Sequence, residues 1–131
     1  MSKILRIALA IIVGLLVWLV VATLGNFLLR AAIPNYLAEE AAMSFSLVAQ
    51  LARLALGLVS TAATAATSVI LSRGKVGTAL AAGCILLALF VPVHVSLWDK
   101  FPAWYHLFFL ASLPLGALAF ARLAASMRSA A

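Results

Sequence analysis

Four long apolar segments dominate the pattern of the chain, and short stretches with polar and charged residues separate them. The segments cover about residues 4–29, 50–71, 76–97 and 103–124. A helix needs about 20 predominantly apolar residues to cross the hydrocarbon core of a bilayer. The pattern therefore predicts one all-α domain over residues 1–131, an integral membrane protein with four transmembrane helices.

The connections between the spans carry helix caps and turn residues. Pro34 and Asn35 follow the first span, Gly74 lies between the second and third, and Pro102 precedes the fourth. Residues 36–49 also have a helical pattern, which predicts that helix 2 extends on the outer side. A continuous helix over residues 36–71 would be about 54 Å long, against about 30 Å of hydrocarbon. This outer helical extension must therefore tilt, project beyond the membrane or bend.

The charged residues predict the orientation of the four helices. The chain has nine basic and three acidic residues and a net charge of +6. The side that holds both termini has no acidic residue and six basic ones: Lys3, Arg6, Arg73, Lys75, Arg122 and Arg128. Basic residues accumulate on the cytoplasmic side of membrane proteins. We therefore expect the chain in the lipid bilayer of a bacterial inner (plasma) membrane, with both termini cytoplasmic.

Small and polar residues form a stripe along one face of helix 2 and its extension. Projection at 100° per residue collects Glu39, Ser46, Gln50, Arg53, Gly57, Ser60, Thr61, Thr64 and Ser68. Arg53 lies about 20 residues before Arg73, near the outer boundary, where its side chain can snorkel to water. The stripe fits either close packing against another helix or a polar path for a substrate.

A second group of polar residues falls in one layer at the outer ends of the helices. This outer polar layer comprises Asn26, Arg30, Glu40, His94, Asp99 and His106. Hydrogen bonds and ion pairs at the interface explain such a layer, and no cofactor is expected. The alternative is ligation of haem or a metal ion by His94 and His106, whose separation of twelve residues across a turn permits convergence.

The leading functional hypothesis is a non-catalytic accessory or scaffold subunit that contacts a membrane-protein partner, or another copy of itself in a homo-oligomer, through helix–helix contacts. One alternative is a small oligomeric transporter or channel with a polar path along helix 2, although no acidic residue lies within a span to couple protons. A haem- or metal-binding membrane protein is the further alternative. The chain has no nucleophile motif and no basic run, so we expect neither an enzyme nor binding to nucleic acid.

Overall fold

The computed structural model describes residues 1–131 and consists of helices without strands. The helices are α1 (Lys3–Ala32), α2 (Tyr36–Ala42), α3 (Leu47–Leu71), α4 (Val76–Ser96) and α5 (Ala103–Ala130), with a 3₁₀ turn at Trp98–Lys100. Four of them, α1, α3, α4 and α5, are long and apolar enough to cross a membrane. The chain is thus a helical bundle of the kind that membrane proteins form.

Local side-chain chemistry sets the limits of these helices. The hydroxyl of Ser2 accepts a hydrogen bond from the backbone N–H of Leu5 and begins α1. Ser46 begins α3 in the same way. Gly74 ends α3, because its left-handed backbone (φ 90°) lets its N–H donate to the carbonyl of Val69.

Of the three arrangements that the sequence leaves open for the extension of helix 2, the structure has a bend, and residues 36–71 are not one continuous helix. Residues 36–49 instead form α2, a non-helical link at 43–46 and the first turn of α3. Met43 adopts a left-handed conformation (φ 50°), and the Glu39 carboxylate accepts hydrogen bonds from the N–H and hydroxyl of Ser46. The polypeptide therefore bends at the link, and α2 lies against α1.

The four long helices alternate in direction. The hydroxyl of Ser68, near the end of α3, donates to the carbonyl of Ala10 near the start of α1. Arg128, at the end of α5, donates to the carbonyl of Ile70. We call the end of the bundle with both termini and the turn 72–75 the terminal end, and the opposite end, with α2 and the 3₁₀ turn, the distal end.

Basic side chains gather at the terminal end. Desolvation and the charges of Lys3 and Arg6 lower the pKa of Lys75, so these three side chains lie in one electrostatic environment.

Side-chain size differs between the two halves of the bundle. Towards the terminal end the buried residues are small or short, namely Ala65, Val69, Ala79 and Ala121. Towards the distal end the buried core is mostly aromatic, with Trp18, Tyr36, Phe45, Phe101, Tyr105 and Phe109. Small residues let helix backbones approach closely, whereas large rings hold them apart.

Gly83 lies where α4 approaches α5 closely. A Cβ atom at this position would lie 2.7 Å from both the Ala117 Cβ atom and the Leu113 carbonyl oxygen. We expect Gly83→Ala to lower the free energy of unfolding by about 1 to 3 kcal/mol through overpacking. Gly77→Ala on the same helix is the matched control, because a Cβ there meets no atom within 4 Å. Equal thermal unfolding midpoints of the two variants in one mild detergent would contradict the packing described.

Candidate functional site

A cavity of about 490 Å³ opens in the distal half of the bundle, between α1, α3, α4 and α5. Its wall contains six aromatic residues, Trp18, Phe27, Phe90, Phe101, Tyr105 and Phe109. Besides the Tyr105 hydroxyl, the polar side chains of its wall are those of Thr23, Asn26, Arg30, Arg53, His94 and His106. A largely apolar cavity with a few converging polar groups is the usual form of a small-molecule site. It is therefore the candidate functional site of this protein.

Arg53 extends from α3 into this cavity and is held by neutral partners. Its Nη1 donates to the Tyr36 hydroxyl (2.8 Å) and its Nε donates to the Tyr105 hydroxyl (3.3 Å). Its guanidinium carbon lies 4.7 Å from the centroid of the Phe45 ring and 5.9 Å from that of Phe101. Cation–π attraction adds to the hydrogen bonds in such an arrangement. The side chain thus bonds within the protein rather than snorkelling outward.

Hydrogen bonds extend from Tyr36 to α1 and α2. The Tyr36 hydroxyl donates to the side-chain oxygen of Asn26 (3.0 Å), whose amide nitrogen lies 3.5 Å from the Glu40 carboxylate. Glu40 forms the only ion pair of the protein, 2.7 Å from Arg30. Glu40 pairs with Arg30, and no carboxylate lies within ion-pair distance of Arg53.

The two histidines meet across the turn between α4 and α5. Their Nδ1 atoms are 2.7 Å apart, and Nε2 of His106 is 3.2 Å from the backbone carbonyl oxygen of Trp98. A separation of 2.7 Å is that of a hydrogen bond. Two nitrogens bound to one tetrahedral zinc ion would be farther apart, at roughly 3.3 Å, because each Zn–N bond is about 2.0 Å long. No group of three or more His, Cys, Asp or Glu side chains is placed to hold a metal ion. Haem or metal ligation at this pair stays a prediction that the geometry does not favour.

The inner part of the predicted polar stripe faces α1. Thr64 Oγ1 lies 2.9 Å from the carbonyl oxygen of Gly14, and Thr61 accepts a hydrogen bond from the Trp18 indole (3.2 Å). Ser68 likewise donates to the carbonyl of Ala10 on α1. Two further members of the stripe are buried elsewhere: Gly57 faces Phe109 of α5, and Ser60 donates to the carbonyl of Leu56 on its own helix. The small faces of α1 and α3 therefore contact each other within the chain. A path along helix 2 and association with a partner protein or another copy stay predictions.

The remaining predicted residues have local partners or none. Glu39 and Ser46 bond to each other at the link between α2 and α3, so the bend and not a continuous helix face brings them together. Gln50 donates to the carbonyl of Phe45 (3.0 Å). Asp99 is exposed in the 3₁₀ turn and its side chain makes no hydrogen bond or ion pair. None of these four lines the cavity.

Sequence reasoning missed the residues that hold Arg53. Tyr36, Phe101 and Tyr105 fit an aromatic belt at the membrane interface, which explains them without a site. A signal was present in the absence of any acidic residue within four positions of Arg53 on its helix. A guanidinium without a nearby carboxylate on its own helix needs acceptors from elsewhere in the chain. Tyrosine hydroxyls can accept its hydrogen bonds.

Comparisons with known proteins found no relative: no family model, curated protein or solved structure matches the chain. The geometry of the cavity is therefore the basis for inferring a function.

The Tyr36 hydroxyl is expected to contribute to the stability of the distal half. Tyr36→Phe leaves a donor of Arg53 and the side-chain oxygen of Asn26 without their partner, which should cost about 1 to 3 kcal/mol of unfolding free energy. Ser96→Ala is the control, because that hydroxyl is exposed and bonds only to the carbonyl of Val93. Thermal unfolding of both variants in mild detergent measures the difference, and a Tyr36→Phe variant as stable as wild type would contradict the network.

Proposed function

We propose that the chain is a non-catalytic membrane protein that binds an amphiphilic anion in its distal cavity. The observation that carries the proposal is the guanidinium of Arg53, which lines the cavity and has no carboxylate partner. An uncompensated cation in apolar surroundings attracts an anion strongly, because little water is present to screen it.

The hydrogen-bonding capacity of Arg53 fits an oxyanion. A guanidinium has five N–H donors, and the protein uses one at Nε and one at Nη1. Nη2 meets no protein acceptor, and no polar side-chain atom that is fully buried lacks a partner, so Nη2 and its two N–H donors reach accessible surface. A phosphate or carboxylate group accepts two parallel bonds from such a fork.

The rest of the cavity wall fits the apolar part of the same ligand. Ten of the seventeen lining residues are hydrophobic. A volume of about 490 Å³ lies within the range of roughly 300 to 1,000 Å³ of small-molecule sites. It accommodates a head group and the first part of an acyl or isoprenoid chain, while the remainder of such a chain would lie among the lipids outside.

The orientation of the bundle belongs to the same proposal. Six basic residues lie at the terminal end, and because basic residues accumulate on the cytoplasmic side, we expect both termini in the cytoplasm. The distal cavity then lies in the outer half of a bacterial inner membrane. An anionic lipid of the outer leaflet could enter it without crossing the bilayer centre.

Binding of an anionic lipid tests the role of Arg53 directly. Native mass spectrometry of the protein in mild detergent compares phosphatidylglycerol with diacylglycerol of the same acyl chains. Wild type should retain the anionic lipid in preference to the neutral one. Arg53→Gln should reduce the affinity for phosphatidylglycerol about tenfold or more, since a hydrogen bond to a charged group contributes about 1.5 to 3 kcal/mol.

Lys100→Gln is the matched control for that loss of charge. Lys100 lies at the same end of the bundle but is exposed and does not line the cavity. The control should bind phosphatidylglycerol as wild type does. Equal losses in the two variants would indicate general attraction by the surface charge and would contradict a site at Arg53.

The orientation is tested by thiol labelling of intact cells. Asp99→Cys and Lys75→Cys are made in a Cys84→Ala background, which removes the one native cysteine. An impermeant maleimide should label position 99 from outside, and position 75 only after the membrane is opened. The reverse pattern would place the cavity in the cytoplasmic half.

A further inference from the structure

The backbone carbonyl of Trp98 determines which of the two histidines donates the hydrogen bond between them. A carbonyl oxygen only accepts hydrogen bonds, so Nε2 of His106, 3.2 Å from it, carries the hydrogen. A neutral imidazole has one N–H, so Nδ1 of His106 is an acceptor. The 2.7 Å contact between the two Nδ1 atoms then requires that His94 donate from Nδ1. The lone pair of His94 is therefore on Nε2.

Apolar rings and one fixed cation surround the two histidines. His106 is fully buried and His94 nearly so. The His94 ring lies against the rings of Phe109 and Tyr105, at centroid distances of 4.6 Å and 6.2 Å. Tyr105 is also a hydrogen-bond partner of Arg53. A second positive charge at this place would be desolvated and repelled by the guanidinium.

Nε2 of His94 is available to a ligand. It has no hydrogen-bond partner in the protein, and every fully buried polar side-chain atom has one, so this nitrogen lies on accessible surface. His94 lines the same cavity as Arg53. The cavity thus presents a charged donor from α3 and an uncharged acceptor from α4.

We infer that the ligand of the distal cavity carries a hydroxyl donor beside its anionic oxygen. The anionic oxygen would accept from Arg53, and the hydroxyl would donate to Nε2 of His94. This inference rests on the proposed binding of an amphiphilic anion and narrows its class. Two head groups supply the chemistry: a monoprotonated phosphate monoester, through its P–OH, and a phosphodiester with an alcohol, such as a glycerol ester. A phosphodiester without a hydroxyl would bond to Arg53 through its charged oxygen but would have no donor for His94.

Three lipids with identical acyl chains separate these possibilities. Phosphatidic acid provides a P–OH, phosphatidylglycerol provides alcohol groups, and phosphatidylmethanol provides the phosphate charge without a donor. In competition measured by native mass spectrometry, at least one of the first two should bind wild type about fivefold more tightly than phosphatidylmethanol, the factor expected for one hydrogen bond. The lipid whose advantage over phosphatidylmethanol is lost on substitution of His94 identifies the source of the hydroxyl, because phosphatidic acid also gains affinity for Arg53 from its second negative charge.

Substitution of His94 tests which atom makes the distinction. His94→Phe retains a ring to stack on Phe109 but has no acceptor, and it should bind the preferred lipid and phosphatidylmethanol equally. His94→Gln has an amide oxygen that can accept, and it should keep part of the preference. A preference that survives intact in His94→Phe would overturn the role of His94.

Failure of this inference is distinct from failure of the proposed function. Equal binding of all three lipids, each tighter than diacylglycerol, would overturn the need for a hydroxyl and leave anion binding by Arg53 in place. Binding of all three no tighter than diacylglycerol would overturn the proposed function itself.

Nitrogen NMR of the wild-type protein labelled with ¹⁵N-histidine tests which histidine donates the hydrogen bond between them, without any variant. The structure requires an Nδ1–H tautomer for His94 and an Nε2–H tautomer for His106. An Nε2–H tautomer for His94 in the lipid-free protein would place a donor at the cavity and overturn the inference.

Discussion

The hydrogen bonds of the Arg53 guanidinium hold the distal half of the bundle together. They join α3 to α2 through Tyr36 and to α5 through Tyr105, while Tyr36 continues the connection to α1 through Asn26. Hydrogen bonds to a charged group contribute about 1.5 to 3 kcal/mol each, similar to the roughly 2.5 to 3.5 kcal/mol that inserting a central arginine costs. Neutral partners are therefore enough to hold the cation, and they leave its charge uncancelled.

The two halves of the bundle differ in how tightly their helices pack. Near the terminal end, the hydroxyls of Thr64 and Ser68 bond to carbonyls of α1, and glycine and alanine let the backbones meet. That half provides rigid packing. In the distal half, the large rings around Arg53 hold the helices apart, and the space between the helices is not completely filled. The cavity follows from this change in side-chain size along the same helices.

The sequence predicts the four long helices well because a span needs only length and apolar composition. The bend between α2 and α3 depends on a bond from Glu39 to Ser46, and a projection that assumes a continuous helix cannot contain it. The partners of Arg53 are 17 and 52 residues away in the chain, so snorkelling was the explanation available from local sequence. The turn between them permits contact between His94 and His106 without requiring it, and which histidine donates the hydrogen bond depends on the carbonyl of Trp98.

The two arginines of the distal end differ because the protein provides one carboxylate for them. Glu40 neutralises Arg30 at the rim, whereas Arg53 lies deeper and keeps its charge. An entering anion therefore meets a net positive charge at one defined place rather than a diffuse basic surface. Because the two tyrosines and two phenylalanines already fix the guanidinium, little side-chain freedom remains to be lost on binding. A neutral acceptor at His94, fixed in the same way, can then distinguish ligands of equal charge.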